Sequence, residues 1–179
     1  MSFIQNMDLN ITNFIFSHLH NNVLDFLMPI FSKLNNGGFI WLLISFLLIC
    51  NKKYRTIGFL TLIAVVMDFL IGEFTLKNIV QRARPFVSHN TIKLIISAPK
   101  GYSFPSGHSG SSFAAATILS IYFKKGTYLF FIFAFLIAFS RVYLGVHYFT
   151  DIVIGAILGI IIALLVNFVY KKYIYLKES

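Results

Sequence analysis

The sequence predicts an all-α fold: a polytopic membrane helical bundle of five to six transmembrane helices with an N-terminal interfacial helix. Three observations carry that prediction. The 179-residue chain is 58% hydrophobic, 17% aromatic and only 12% charged, with a mean hydropathy of +0.79. Soluble domains carry about 45–50% apolar and about 25% charged residues, so a water-soluble globule of this composition would expose large apolar patches. Five apolar stretches, at 38–50, 56–76, 106–123, 128–139 and 152–170, approach the ~20 residues that cross a ~30 Å hydrocarbon core as helix. The third observation is that strongly basic connections alternate with connections of a different kind. No internal repeat or linker interrupts the chain, and residues 1–179 are expected to form a single membrane-embedded domain.

In order, residues 8–20 and 22–34 mix apolar positions with Asn, Ser, His and Asp. They read as interfacial or half-inserted helices, broken by Asn21-Asn22 and by Asn35-Asn36-Gly37-Gly38. Alternatively, residues 1–36 together make the sixth span. His18 and His20 on this segment are expected to be solvated. Residues 1–32 contain no Lys or Arg, so the basic start of a cleavable signal peptide is missing and the first span is expected to act as an uncleaved insertion signal. The stretches at 38–50 and 128–139 are short and lengthen through polar flanks at 35–37 and 140–144. In the last stretch, Gly155 and Gly159 permit close helix packing, expected within the bundle. Cys50 is the single cysteine, which rules out an intramolecular disulfide and a cysteine-based metal site.

Fifteen Lys and Arg face six Asp and Glu, a formal charge of +9. Lys52, Lys53 and Arg55, then Lys124 and Lys125, then Lys171, Lys172 and Lys177 occupy alternate connections and the C-terminal end, which places them in the cytoplasm. Connections 77–105 and 140–151 then share the outer face, with Lys77, Arg82, Arg84, Lys93, Lys100 and Arg141. The cationic surplus therefore reads as topology plus a site for an anionic substrate, and no nucleic-acid partner is expected.

Three clusters on the outer face carry chemistry. Lys77 and Arg84 are seven residues apart, on one stripe if the helix continues until Pro85 ends it. Such a pair suits an anion with several oxygens, Arg adding a two-pronged donor fork; it also suits two cations snorkelling to lipid headgroups. Pro105-Ser106-Gly107-His108 opens the third stretch as a capped helix start whose free N–H groups can cradle phosphate, Gly107 allowing close approach and His108 standing ready as a proton donor. In the third cluster, Arg141 precedes His147 and Asp151, four apart, so that the carboxylate can hold one imidazole nitrogen while the other attacks. Each cluster alone also has a plain structural account as a cap or a polar helix-end pair. Their conjunction on one face does not, because ionisable groups at the membrane are expensive. Nearby, Glu73 is expected to pair with Lys77 four residues on, while Asp68 has no partner that the sequence names. In the connection 86–104, Leu94-Ile95-Ile96 is expected to dip into the lipid interface.

Taken together, Lys77-x6-Arg84-Pro85, Pro105-Ser106-Gly107-His108 and Ser140-Arg141-x5-His147-x3-Asp151 resemble the tripartite signature of the type-2 phosphatidic acid phosphatase superfamily. The resemblance spans residues 77–151, with all three motifs complete. It implies that His147 attacks phosphorus and becomes phosphohistidine, with Asp151 orienting it. It implies that His108 protonates the leaving group and later activates water, and that Lys77, Arg84, Ser106, Gly107 and Arg141 hold the phosphoryl oxygens, with no metal and no cofactor. The expected substrate is a lipid phosphate or diphosphate in the cell (plasma) membrane, reached from the outer side, with the C-terminus cytoplasmic. Among relatives of this shape, undecaprenyl-diphosphate phosphatases come first, then phosphatidylglycerophosphate and phosphatidate phosphatases. Transfer of the phosphoryl group to another hydroxyl, or phospholipid binding or transport without catalysis, are the alternatives of another class.

Overall fold

The computed structural model describes residues 3–89 and 92–178, with side chains through residue 174; the side chain of Lys177 lies outside that set. All regular structure among these residues is helical. Helices α1 (Phe3–His18) and α2 (Asn22–Leu34) form an N-terminal pair. Asn21 separates them and caps α2, its side chain accepting from the N–H groups of Val23 and Leu24. A 3-10 turn at Asn36–Gly38 follows, with Gly37 at φ 61° and Gly38 at φ 78°, left-handed angles that glycine adopts without steric cost. The chain thereby bends by 48° into α3 (Phe39–Cys50).

After α3 come α4 (Arg55–Phe69), a π-helical stretch at Leu70–Leu76, and the short α5 (Lys77–Val80) and α6 (Pro85–Ser88). The bundle is completed by α7 (Gly107–Tyr122), α8 (Thr127–Tyr143) and α9 (Phe149–Glu178). Helix α7 is the central element, packed against α4, α8 and α9. Its Ala114, Ala115, Ala116 and Ile118 are all fully buried. Small residues on both sides permit the closest crossing: a Cβ on Gly155 of α9 would stand 2.6 Å from the Ser106 carbonyl oxygen, and one on Gly159 would run into Gly110 and Ala114. Ser109 Oγ donates to the Ile152 carbonyl at 2.5 Å, and Tyr122 donates to Asn167 at 2.9 Å. The glycine step in α9 thus packs within the bundle.

Three helical stretches among the described residues are long and apolar enough to cross a membrane: Arg55–Ser88, Lys124–Tyr143 and Phe149–Ile174. The bent α2–α3 pair makes a fourth if taken as one span. This is fewer than the five or six expected, for a physical reason. Helix α7 has 16 residues, about 24 Å, and α3 has 12. Neither matches the hydrocarbon thickness alone, and α7 is sheathed by protein, where Ser and Gly are tolerated because lipid never meets them. Apolar side chains left exposed, among them Phe46, Leu129, Phe168 and Val169, give the bundle its apolar outer surface. The N-terminal pair docks on this bundle, Ile15 and Met28 packing with Val142, Tyr143 and Leu144 at the end of α8.

Candidate active site

Lys77, Arg84, Gly107, His108, Arg141 and His147 line one cavity of about 420 Å³. The route by which Lys77 and Arg84 reach it differs from a shared helical stripe. Helix α5 ends at Val80, and Gln81 at φ 49° turns the chain into an extended stretch. Pro85 therefore opens α6 at its first position instead of closing the preceding helix. Arg84 is held from that stretch by carbonyl oxygens, its Nε donating to Gly101 at 2.9 Å and its Nη1 to Val146 at 2.8 Å.

His147 stands in the turn between α8 and α9. Helix α8 ends with the N–H of Gly145 on the Val142 carbonyl (2.9 Å) and that of Val146 on the Arg141 carbonyl (3.1 Å), Gly145 taking φ 68°. This left-handed closure reverses the chain and delivers His147 almost fully buried, 2% exposed. Its Nε2 is 3.3 Å from Arg84 Nη1. A guanidinium only donates, so Nε2 presents its lone pair there and the neutral ring carries its proton on Nδ1. Nδ1 faces Asp151 Oδ2 at 3.6 Å, beyond hydrogen-bond distance. Burial, with Arg141 and Arg84 nearby, pushes the His147 pKa down to about 3 against the opposing pull of Asp151. The imidazole is a neutral base at physiological pH.

Asp151 lies in the first turn of α9, not four residues along a shared helix from His147. Its Oδ2 accepts from the Tyr148 N–H at 2.9 Å and from Ser103 Oγ at 2.5 Å, and its Oδ1 accepts from Arg82 Nη1 at 2.7 Å. Arg82 also pairs with Asp8 of α1 at 2.6 Å and lies 4.0 Å over the Tyr148 ring. Asp8, Arg82 and Ser103 were absent from the expected site. Arg82 was visible only as one of six outer-face cations, and Asp8 carries no local signal, because its partners are more than 70 residues away.

Lys77, Arg84 and Arg141 are 8%, 4% and 4% exposed. Lys77 has a carboxylate partner, Glu73, at 2.5 Å as expected. Arg84 and Arg141 have none among the described residues; Arg141 meets the Ser32 hydroxyl, and its Nε has no partner. Glu73 also touches Gly107, where a Cβ would come 2.5 Å from Oε1, so the carboxylate now fills the approach expected for a phosphate. Ser106 caps α7, its hydroxyl accepting from the Ser109 N–H at 3.4 Å; it is 1% exposed and is not among the residues that line the cavity. Asp68 is 1% exposed, its Oδ1 without a partner. His20 is half-buried and not solvated: it bonds Asp25 at 2.8 Å and stacks on Tyr143 with ring centroids 4.4 Å apart.

Residues 57–175 match the PAP2 superfamily. An undecaprenyl-diphosphatase of Sulfolobus acidocaldarius is 34% identical over 157 residues, 87% of this chain and 75% of that protein. A lipid A 4'-phosphatase of Bacteroides thetaiotaomicron is 30% identical over 174 residues, covering 89% of this chain and 75% of its own. Among solved structures, the PAP2-type phosphatidylglycerolphosphate phosphatase of Bacillus subtilis superimposes with a TM-score of 0.79 at 26% identity, covering 96% of this chain and 88% of its own.

Proposed function

The chain belongs to the PAP2 superfamily and is a multi-pass membrane lipid phosphatase; on that premise we propose that it removes the terminal phosphate of undecaprenyl diphosphate through a phosphohistidine, without a metal. The observation that carries this reading is the pair of buried guanidiniums, Arg84 and Arg141, which lack carboxylate partners among the described residues and share one cavity with His147. Uncompensated buried cations are costly, and an anion with several oxygens relieves that cost.

In this mechanism Lys77, Arg84, Arg141 and the first turn of α7, opened by Ser106 and Gly107, hold the phosphoryl oxygens. His147 Nε2 forms a bond to phosphorus as the bond to the leaving oxygen breaks, and Asp151 stabilises the charge on the ring. His108 gives its proton to the leaving oxygen. It then takes a proton from water, whose oxygen attacks phosphorus and releases inorganic phosphate and free His147. The fixed cations stabilise the transition-state charge.

The choice of a diphosphate lipid is supported by the Sulfolobus relative, and phosphatidylglycerophosphate is the alternative supported by the Bacillus structure. The apolar end of the cavity, at Leu42, Val65 and Phe69, suits a lipid tail of either kind. We read α7 and the bent α2–α3 pair as crossing the membrane with the other spans, and the site as facing the outer leaflet. A cysteine introduced at Lys124 should then be shielded from impermeant thiol reagents in intact cells. The deciding experiment is phosphate release in EDTA from undecaprenyl diphosphate, phosphatidylglycerophosphate, phosphatidate and a soluble ester. Fastest turnover is expected on the first, and His147→Ala should abolish it. Turnover retained by that variant would rule out the phosphohistidine.

A further inference from the structure

Residues before 57 lie outside the segment matched to the superfamily, yet the end of α2 and the bend after it reach the cavity wall. The Ser32 carbonyl is 3.0 Å from His108 Nε2, and Asn36 Oδ1 is 3.2 Å from the same nitrogen. The Ser32 hydroxyl meets Arg141. Asn35, 1% exposed, donates through Nδ2 to the His108 carbonyl at 3.0 Å, to Ser111 Oγ at 2.9 Å and to Ser112 Oγ at 3.1 Å. One turn of chain therefore holds both the His108 ring and the helical turn that carries it.

A carbonyl oxygen can only accept. Nε2 must therefore be the protonated nitrogen of the neutral His108 ring, and the amide of Asn36 is oriented with its oxygen toward the same proton. The groups facing His108 from elsewhere are Lys77 on α5, Arg141 on α8 and His147 in the turn before α9; Glu73 stands at the adjacent Gly107. No carboxylate bonds the ring among the described residues. Two uncharged acceptors orient it without adding an anion that would compete with phosphate for the cations.

We propose that the end of α2 and the bend after it are a positioning element of the acid–base site: the Ser32 carbonyl and the Asn36 side chain keep Nε2 of His108 protonated, so that Nδ1 carries the transferred proton, the imidazolium giving it to the leaving oxygen and the neutral Nε2–H ring recovering it from water. This inference rests on the reading of His108 as the acid and base, and it extends the catalytic apparatus to residues outside the matched segment.

The test uses the full-length protein in lipid nanodiscs with 15N-labelled histidine, the His108 signals being assigned by their loss in His108→Gln. A protonated Nε2 and a bare Nδ1 are expected above the titration of the ring; the opposite form overturns the proposal. Kinetics supply the second readout. Asn36→Leu should lower kcat about fivefold, the worth of one hydrogen bond, with KM nearly unchanged. Asn36→Asp should move the alkaline limb of kcat up by about one pH unit, because an anion beside the ring favours its charged form. A limb that stays in place in Asn36→Asp contradicts the proposal, since a merely structural residue would leave it there. The ring form is read without turnover, so a wrong form and a dispensable His108 are separate results. Full activity in His108→Gln would reject the acid–base reading itself.

Discussion

Asp8 and Asp151, from the first and last helices, bind the same guanidinium: Arg82 Nη2 lies 2.6 Å from Asp8 Oδ2 and Nη1 lies 2.7 Å from Asp151 Oδ1. Both carboxylates are fully buried. Asp8 also accepts from the N–H of Thr150 at 2.9 Å and from its hydroxyl at 2.5 Å, so it caps α9 from outside the helix. A negative group is favourable at that end of a helix. Asp8→Ala leaves Arg82 half-paired and the Thr150 N–H open. The expected cost is about 3 kcal/mol of stability, read as a fall in the thermal unfolding temperature in detergent. Turnover should fall as well, because Asp151 is then free to follow Arg82 away from His147. An unchanged unfolding temperature would show that the shared guanidinium contributes nothing.

His147 sets a pH dependence of stability. Its pKa is pushed down to about 3 in the folded protein, against about 6.5 in an unfolded chain. The unfolded state therefore binds the proton more readily between those values, and stability rises with pH across that window. The contribution of His147 is complete above about pH 6.5 and is lost as pH falls toward 3. Unfolding measured at pH 7 and pH 4.5 should show a smaller difference in His147→Gln than in the parent. Equal differences in the two proteins would remove His147 as the source.

Under the proposed function, Glu73 stands where the substrate phosphate would bind. Its carboxylate holds Lys77 at 2.5 Å and crowds Gly107, both assigned here to phosphate. Glu73→Gln removes the competing charge and should tighten inhibition by vanadate about twofold to fivefold, in keeping with a partly exposed ion pair. Weaker inhibition in the variant would mean that Glu73 instead holds Lys77 in its binding position.

Much of the site was legible because charges stand out in a chain this apolar. Lys77, Arg84, Arg141, His108 and His147 could be picked out by type and spacing, and they do line one cavity. Their local geometry was not legible. Nothing in residues 70–81 announces a π-helical stretch at Leu70–Leu76 followed by a short α5 that ends in a left-handed Gln81, since the pattern remains that of an apolar helix. Asp8, Ser32, Asn35 and Asn36 stayed hidden for another reason. Their partners lie in helices that only tertiary packing brings near, and a polar residue on a mixed segment looks the same whether solvent or a buried ring satisfies it. The setting of α7 was hidden in the same way. Its stretch reads as apolar from composition, whereas enclosure by α4, α8 and α9 is what makes its small polar residues acceptable.

The crossing of α7 and α9 joins the two histidines mechanically, and Gly159 tests that link. His108 sits at the start of α7 and His147 immediately before α9, so the separation of the helices sets the separation of the proposed acid and the proposed nucleophile. At Gly159 a Cβ would collide with backbone, 2.9 Å from the Ala114 nitrogen and closer still to the Gly110 carbonyl, and backbone cannot rotate aside as a side chain can. Gly159→Val must push the helices apart, at a cost of about 1–3 kcal/mol or more. The Ser109–Ile152 bond and the Ser106–Asp151 backbone bond, at 2.5 and 3.0 Å, would stretch with them. The expected result is a lower unfolding temperature together with a kcat loss larger than the change in KM, because the cations proposed to bind phosphate lie on α5, α8 and the stretch before α6 and are not carried by α9. Gly72 supplies the control. A Cβ there meets only ordinary contacts, with Leu158 at 3.8 Å and Pro105 at 3.9 Å, so Gly72→Ala should leave both quantities near those of the parent. Similar losses at both glycines would indicate a general sensitivity of the bundle and not the α7–α9 crossing.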